Sequence, residues 1–163
     1  MPFNIQWVDH CKGTEEISKM VTPAGKLVLY SRSGVIYKTD WELDDRRLQL
    51  DEQCLTWEDY GSTGDSIIFV KLLRQGTPFR NRVWVQLSKI PFGETITYSA
   101  LALKIGSAAR AVGNACRDNP FPLLIPCHRV VSVSGIGGYS GQTEGDFMAI
   151  KRKLLAFEST FKQ

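Results

Sequence analysis

The chain has 163 residues, of which 43% are hydrophobic and 23% charged, a composition typical of a soluble globular protein with enough apolar residues to form a core. It contains no run of about 18 apolar residues, which argues against a membrane span, and its first residues lack the basic and apolar regions of a secretory signal. We therefore expect an intracellular protein, cytoplasmic or, in a eukaryote, nuclear, whose four cysteines are free thiols.

Charge is unevenly distributed along the chain. Residues 1–76 contain nine Lys and Arg against twelve Asp and Glu, a net charge of −3, whereas residues 77–163 contain eleven against five, a net charge of +6. A basic second half joined to an acidic first half favours polyanion binding by the second half. The alternative to polyanion binding is a solvated surface that is basic by chance.

The first half of the chain predicts a β-rich fold with one helix. The predicted strands are residues 26–31, 35–41 and 66–73, with turns at 22–25 and 33–34. Residues 44–59 have the apolar spacing of a helix. Residues 61–64, with a glycine at each end, form a break after it. We place the domain boundary at Gly76, which divides the chain into domains of residues 1–76 and 77–163.

The second half predicts a mainly helical domain. Thr77 and Pro78 are typical of a helix start. The apolar residues that follow at helical spacing are Val83, Trp84, Leu87 and Ile90. Asp146 is predicted to cap the last helix of the chain. The predicted buried stripe of that helix consists of Phe147, Ile150, Leu154 and Phe157.

Between these helices lies a helix-turn-helix candidate. Residues 98–105 predict a short helix that ends at Gly106, and Ser107 is predicted to cap a second helix that runs to Arg117. Residues 107–116 are mostly small, and Arg110 is the long charged side chain among them. Such a face would let the helix backbone approach a narrow DNA groove. Close packing against another helix uses small residues equally often and is the alternative.

Residues 125–131 read Ile-Pro-Cys-His-Arg-Val-Val and place a cysteine beside a histidine and an arginine. A thiol is a useful nucleophile as thiolate, which basic neighbours make available near neutral pH. Adjacent residues of an extended segment point to opposite sides, so we expect Cys127 and His128 to communicate through a turn or a bridging water. Glu158, beside the apolar stripe of the last helix, is the candidate carboxylate that orients His128, and a frayed helix end is its alternative.

The same residue types could bind zinc. However, the sequence has neither Cys-x-x-Cys nor His-x-x-x-His spacing, and adjacent ligands such as His10 and Cys11 suit tetrahedral geometry poorly. We therefore expect no metal and no other cofactor. Cys54 and Cys116 fit the interpretation of small buried hydrophobic residues.

The second half of the chain resembles the O6-alkylguanine-DNA alkyltransferases, also called methylated-DNA–protein-cysteine methyltransferases. The resemblance covers nearly all of that half, in Thr77-Pro78-Phe79, Val83-Trp84, Ile90-Pro91-Phe92-Gly93, Thr97-Tyr98, Ala109-Arg110-Ala111-Val112-Gly113, Asn119-Pro120, Pro126-Cys127-His128-Arg129-Val130, Gly138-Tyr139-Ser140-Gly141 and residues 151–158. The first half resembles the family's N-terminal domain more loosely, chiefly in residues 22–27. The resemblance implies a ribonuclease-H-like α/β domain followed by a mainly α-helical domain with a helix-turn-helix.

The resemblance also implies a reaction. The protein would be a monomer that transfers an alkyl group from O6-alkylguanine in double-stranded DNA to its own Cys127, with O4-alkylthymine as a further candidate substrate, and would be consumed in one turnover. His128 would take the thiol proton through a water, and Glu158 would orient His128. Asn119 would brace the cysteine turn, and Tyr98 would donate a proton toward the departing guanine.

The implied DNA contacts lie on the helix-turn-helix, and the implied base contacts lie near the cysteine. Arg110 would fill the gap left by a nucleotide flipped out of the duplex. The other implied DNA-binding residues are Thr97, Tyr98, Ala109, Ala111 and Gly113. Main-chain groups of Cys127, Val130 and Ser140 would read the base edge, and Tyr139 would wall the pocket.

One segment departs from the family pattern, and other functions compete. Residues 142–150 form a longer connection than the family predicts, which leaves the tolerance for bulky adducts open. The main alternative is a non-enzymatic protein that binds alkylated DNA and flags it for other repair, against which the presence of Cys127 argues. A helix-turn-helix regulator and a cysteine hydrolase are further alternatives.

Overall fold

The computed structural model describes residues 3–22, 24–42, 68–139 and 145–160, with Ile68 described by its backbone alone. The chain divides into two compact units, residues 1–75 and 76–163. In these described ranges, no helix is long and apolar enough to cross a membrane. The predicted helix at residues 44–59, which includes Cys54, and the glycine segment 61–64 lie outside the described residues.

The first unit contains a five-stranded mixed sheet. Its strands are β1 (Phe3–Val8), β2 (Glu15–Thr22), β3 (Gly25–Arg32), β4 (Val35–Glu42) and β5 (Ile68–Leu73), and their order across the sheet is β1-β5-β4-β3-β2. Strands β2, β3 and β4 form an antiparallel meander, whereas β5 runs parallel to both β4 and β1. The three strands predicted from the sequence are confirmed, and β1 and β2 complete the β-rich half.

Local side chains close the turns of the meander. The Thr22 hydroxyl donates to the Gly25 carbonyl (2.7 Å) and accepts from the Ala24 N–H (3.1 Å), which closes the β2–β3 connection. In the β3–β4 turn Gly34 has φ 78°, a conformation that glycine adopts at little steric cost. One face of the resulting sheet is buried, with Met20, Leu27 and Trp41 aligned in register.

The second unit is mainly helical. Its helices are α1 (Pro78–Leu87), α2 (Tyr98–Ile105), α3 (Ala109–Arg117) and α4 (Asp146–Ser159), and a 3-10 turn covers Cys127–Arg129. Two short parallel strands, β6 (Ile96–Thr97) and β7 (Val130–Val131), pair with each other. Because β6 leads directly into α2 and β7 directly follows the 3-10 turn, this pairing brings the start of α2 to the cysteine turn.

Threonine caps begin α1 and α2. Thr77 accepts a hydrogen bond from the Arg80 N–H (3.2 Å), with Pro78 at the first helical position. Thr97 accepts in the same way from the Ala100 N–H (3.1 Å). The predicted start of α1 is therefore confirmed.

The connection between α2 and α3 differs in one respect from the prediction. Gly106, with φ 68°, ends α2 as predicted. The prediction that Ser107 caps α3 was wrong, because its N–H donates to the Ala102 carbonyl (2.9 Å) and so completes the end of α2. Helix α3 instead begins at Ala109 with Ala108 in the capping position and no side-chain cap.

Helix α4 also begins differently. Gly145 occupies the capping position, so the prediction of Asp146 as the cap was wrong; as the first helical residue, Asp146 places its charge at the positive end of the helix dipole. The buried residues of α4 are Met148, Ile150, Lys151, Leu154 and Glu158. Ile150 and Leu154 are thus confirmed, whereas Phe147 and Phe157 are half-buried. Two charged residues, Lys151 and Glu158, can lie in this buried stripe because each binds polar partners inside the unit.

The close contact between Gly76 and Trp84 predicts an unusually costly glycine substitution. Gly76 has φ 82°, and a Cβ there would lie 2.8 Å from Trp84 Cη2. Trp84 is buried and donates from Nε1 to the Ala115 carbonyl (2.9 Å), so it has little room to move. We expect Gly76→Ala to lower the free energy of unfolding by about 2–3 kcal/mol in urea denaturation.

Gly106→Ala is the matched control. Its φ of 68° imposes a similar backbone cost, but a Cβ there would meet no atom within 4 Å. We expect it to lower the free energy of unfolding by only about 1 kcal/mol. Equal losses in the two variants would show that backbone conformation, and not the Trp84 contact, sets the cost at Gly76.

Candidate active site

Cys127 lies in a braced turn. Asn119 is buried, and its Nδ2 donates to the Ile125 carbonyl (2.9 Å) while its Oδ1 accepts from the Phe121 N–H (2.9 Å). The Cys127 N–H donates to the same Ile125 carbonyl (2.8 Å). Within this loop the buried Leu123 has φ 73°, a left-handed conformation that costs a bulky residue about 1–2 kcal/mol. The surrounding contacts therefore hold the loop that leads to Cys127 in a conformation that is locally unfavourable at Leu123.

The next two residues converge on one carboxylate. His128 Nε2 lies 2.8 Å from Glu158 Oε1, and both side chains are almost completely buried. Arg129 donates from Nε to Glu158 Oε2 (3.0 Å) and from Nη2 to Oε1 (2.9 Å). A frayed end for α4 at Glu158 is excluded, since this carboxylate lies inside the unit with a bidentate arginine partner.

The protonation states of this cluster follow from burial and charge balance. Burial favours protonation of the Glu158 carboxyl, but His128 and Arg129 outweigh it and hold the pKa of Glu158 well below its usual range. Burial lowers the pKa of His128, and Arg129 and Lys151 add to the lowering against the opposite effect of Glu158. His128 is therefore neutral near pH 7, with its proton on Nε2 because a carboxylate can only accept.

The second nitrogen of His128 has a lone pair and no partner. Its Nδ1 is buried and is the one side-chain nitrogen or oxygen in the described ranges that is both buried and without a hydrogen bond. Buried polar atoms are rarely left in this condition, and an unsatisfied one calls for a functional or solvent-based explanation. An imidazole held in this tautomer presents a basic nitrogen on the side away from Glu158.

The thiol itself is protonated at rest. Burial raises the pKa of Cys127, and a hydrogen bond with the Asn119 side chain and the charge of Lys151 offset only part of the rise. A second buried thiol, Cys116 of α3, lies near enough to interact electrostatically with Cys127. Cys127 thus requires a base to become a thiolate near neutral pH.

Tyr98, the first residue of α2, lies beside the two thiols. Its hydroxyl donates to the Gly138 carbonyl across 3.5 Å, a long hydrogen bond. Burial raises the pKa of Tyr98, and the neighbouring thiols Cys116 and Cys127 raise it further, so the phenol is neutral. A Cβ at Gly137 would lie 3.0 Å from the tyrosine ring, so glycine at this position leaves the ring its space.

Lys151 is a site residue that the sequence reasoning missed. It is fully buried on α4 and donates from Nζ to the Val130 carbonyl (2.8 Å) and to the Gly138 carbonyl (2.8 Å). Burial lowers the pKa of Lys151 to about 8. The lysine thereby ties the segment after the cysteine to the segment before Tyr139. Its position on the apolar stripe of α4 was the feature of the sequence from which its burial could have been predicted.

An open groove of about 360 Å³ borders this cluster on the α3 side. Its lining residues are Tyr98, Ser99, Ala109, Arg110, Gly113, Ser132 and Val133. Arg110 is exposed, and Val133 is 81% exposed at the tip of a turn closed by the Ser132–Gly135 bridge. The groove thus places an arginine and a tyrosine at its edge, next to the cysteine turn.

The remaining candidates from the sequence lie nearby, with one exception. Val130 and Tyr139 are buried, and the Val130 carbonyl accepts from Lys151. Thr97 caps α2, and Ala111 is half-buried on α3. Ser140 lies outside the described residues, as does the first part of the long connection 142–150, whose last five residues are the start of α4.

In the parts of the chain that the structure describes, no group of three or more His, Cys, Asp or Glu side chains could hold a metal ion. Cys127, His128 and Glu158 together form a candidate cysteine-nucleophile site. A thiol that needs a base lies one residue from a histidine whose proton is held on one nitrogen by a carboxylate. An exposed arginine borders the groove beside it.

Comparison with known proteins identifies the family within this class. Residues 78–160 match the family model described as the DNA binding domain of 6-O-methylguanine DNA methyltransferase. The structure of the Mycobacterium tuberculosis O6-methylguanine methyltransferase aligns over 92% of this chain and 96% of that chain, with 30% sequence identity and a TM-score of 0.66. The chain belongs to the 6-O-methylguanine DNA methyltransferase family.

Curated relatives match in the second half of the chain. A probable methylated-DNA–protein-cysteine methyltransferase of Acanthamoeba polyphaga mimivirus is 55% identical over 67 residues, which are 40% of this chain and 45% of the relative. The methylated-DNA–protein-cysteine methyltransferase of Metallosphaera sedula is 48% identical over 82 residues, which are 50% of this chain and 49% of the relative. The chain thus spans about half the length of the curated relatives it matches.

The neutral state of His128 predicts a pH-dependent stability. An unfolded histidine binds a proton near pH 6.5, whereas burial lowers the pKa of His128 in the folded protein. Below about pH 6.5 the unfolded state therefore binds more protons, and the free energy of unfolding should decrease by up to about 1.4 kcal/mol per pH unit. Urea denaturation between about pH 7 and 5 measures this slope.

Two substitutions assign the slope to its residue. His128→Gln removes the titrating group and should abolish the slope over this range. His10→Gln changes the other histidine of the chain, which is exposed, and should leave the slope unchanged. A slope that persists in His128→Gln, or that disappears in His10→Gln, would contradict the assignment.

Proposed function

We propose that this protein repairs alkylated DNA by direct, stoichiometric transfer of an alkyl group from O6 of guanine to Cys127 Sγ. The observation that carries the proposal is the buried, unpartnered Nδ1 of His128, one residue from the thiol, with Nε2 engaged by Glu158. Such a nitrogen can accept the Cys127 proton through a bridging water. The relatives, which are methylated-DNA–protein-cysteine methyltransferases, support the same reaction.

The proposed displacement balances in protons and electrons. The Cys127 proton passes through water to His128 Nδ1, and the thiolate attacks the alkyl carbon, so that a carbon–sulfur bond forms as the carbon–O6 bond breaks. The electron pair of the broken bond stays with the guanine, which takes up a proton from the neutral phenol of Tyr98. The proton held by His128 returns through solvent to Tyr98. The alkyl carbon is a poor electrophile, which is why both proton transfers are needed.

The product is a thioether on Cys127. A carbon–sulfur bond of this kind is stable in water, and the neighbouring thiol Cys116 is a weak nucleophile because burial raises its pKa. Each molecule is therefore expected to react once. Asn119 serves this reaction by bracing the turn that presents the thiol and by its hydrogen bond to the thiol.

Helices α2 and α3 are proposed to act as a helix-turn-helix whose second helix enters the minor groove of double-stranded DNA. Gly113 supports this over internal packing, because a Cβ at Gly113 would meet no atom within 4 Å, so packing against the described residues does not require glycine there. Ala109 and Ala111 are half-buried and equally short. Small residues on an open face allow close approach of the helix backbone to DNA.

Nucleotide flipping follows from the burial of the thiol. A target atom inside the base stack cannot reach a buried sulfur, so the alkylated nucleotide must leave the duplex. Arg110, exposed at the groove edge, is proposed to occupy the space that the nucleotide vacates, and Val130, Tyr139 and Ser140 to surround the base. A similar structure, the Mycobacterium tuberculosis OGT in complex with DNA, supports DNA as the partner, with a TM-score of 0.64 and 30% identity.

The first unit is proposed to be a ribonuclease-H-like domain, with the boundary at Gly76. Its antiparallel meander continued by two parallel strands supports this interpretation.

The protein is proposed to act as a monomer, with O4-alkylthymine as a further substrate. The alternative function, in which the protein binds alkylated DNA and flags it for other repair, predicts lesion binding without alkyl transfer.

A labelled substrate tests the central proposal. Duplex DNA that carries O6-[³H-methyl]guanine should transfer its label to the peptide that contains Cys127, with at most one equivalent per protein. Cys127→Ala should transfer none. Cys116→Ala removes the neighbouring buried thiol and should retain transfer to Cys127. Repeated turnover, or label on Cys116, would contradict the proposal.

The role of Arg110 is tested by comparing two substrates. Arg110→Ala should slow methyl transfer from duplex DNA by at least about tenfold, because extruding a base costs a few kcal/mol, while the reaction with free O6-methylguanine should be unchanged. Arg117→Ala removes the same charge from another exposed position of α3 and should affect the duplex reaction much less. Equal losses on both substrates would assign Arg110 a structural role instead.

A further inference from the structure

We infer that Arg129 is a positioning residue that selects the tautomer of His128, and that the segment Ile90–Phe92 holds Arg129 in place for this task. Arg129 lies beside the proposed nucleophile and base in sequence, yet its side chain points to Glu158 and to Ile90. The inference deepens the proposed function and rests on it for its rate measurement, whereas its spectroscopic measurement does not depend on any reaction.

Three hydrogen bonds orient the guanidinium of Arg129. Nε and Nη2 bind the two oxygens of Glu158 at 3.0 and 2.9 Å. Nη1 donates to the Ile90 carbonyl at 2.8 Å, just beyond the end of α1. The side chain is 1% exposed, so these partners and not water satisfy its charge. A bidentate pair of this kind fixes the carboxylate plane as well as its charge.

Phe92 supplies the other support. The guanidinium carbon of Arg129 lies 5.4 Å from the centre of the Phe92 ring, within the range of a cation–π contact. The Phe92 ring in turn meets the ring of Phe157 edge to face, at 6.4 Å and 82°. Because Phe157 directly precedes Glu158, the two ends of the arginine–carboxylate pair are held by one aromatic contact. The Ile90-Pro91-Phe92 motif of the sequence thus serves to hold Arg129 against Glu158.

Charge balance explains how this arrangement selects the tautomer. A buried carboxylate without Arg129 would be balanced most readily by an imidazolium at His128, with protons on both ring nitrogens. Because Arg129 already balances Glu158, the imidazole stays neutral, and its single proton stays on Nε2. The charged groups that act on His128 are Glu158 and Lys151 of α4 and Arg129 of its own turn. Arg129 thus keeps Nδ1 free to accept a proton.

The pH dependence of the reaction tests the inference. The rate of single-turnover methyl transfer is measured at saturating duplex DNA over a range of pH, and its fall toward low pH is the acid limb. In Arg129→Met this acid limb should move to higher pH by at least about one unit. On that limb the rate should fall about tenfold, and it should recover toward the wild-type rate as the pH rises. A structural role alone would reduce the rate equally at all pH values, and an unshifted limb overturns the inference.

Two further variants separate charge from packing. Arg129→Lys keeps the charge but cannot make all three contacts, and its acid limb should lie between those of the wild type and Arg129→Met. Should Arg129→Met fail to fold, Arg129→Gln removes the charge with a polar side chain, and an unshifted limb in that variant overturns the inference. Arg82→Met removes another arginine, which donates to the Ile105 carbonyl and has no carboxylate partner among the described residues, and should leave the limb unshifted.

Nitrogen-15 NMR of labelled histidine reads the tautomer directly. In the wild type near neutral pH, His128 should show a protonated Nε2 and an unprotonated Nδ1. In Arg129→Met, the pH at which Nδ1 gains its proton should be higher than in the wild type by at least about one unit. An imidazole with the same tautomer and titration in both proteins overturns the inference. If the wild-type protein shows the expected tautomer but transfers no methyl group, the proposed function fails while the inference about Arg129 stands.

Discussion

The buried carboxylate of Glu158 is the constraint on which the site depends. A carboxylate in the interior is stable when its charge is balanced and its oxygens are bonded. Here Arg129 balances the charge, and Oε1 also accepts a hydrogen bond from His128 Nε2. The same contacts join the end of α4 to the turn that carries Cys127. One buried interaction therefore both joins two parts of the second unit and orients His128.

The rest of the site holds the proposed nucleophile, acid and base in their neutral forms. Burial raises the pKa of Cys127 and Tyr98 and lowers that of His128, so a thiol, a phenol and an imidazole coexist without charge beside one another. A neutral thiol is a weaker target for oxidants than a thiolate. For a protein that we propose to react only once, this resting state preserves the acceptor until a substrate arrives.

Local features of the chain were predictable where a short segment determines its own conformation. The hairpin turns of the first unit, the start of α1 at Thr77 and the end of α2 at Gly106 all depend on residues within a few positions of each other. The caps assigned to Ser107 and Asp146 failed for a related reason. Both residues have suitable side chains, but a neighbouring residue occupies the capping position once the preceding backbone is fixed.

The residues and their short-range patterns specified which chemical groups are present and roughly where each element begins, and they suggested that His128 pairs with Glu158, 30 residues away. The fold places that pair 2.8 Å apart and adds contacts that no pattern indicated: Lys151 donates to the carbonyls of Val130 and Gly138 from the buried face of α4. The reason is physical: the stability of a buried charge depends on partners that packing brings together, and a pattern along the chain does not specify those partners.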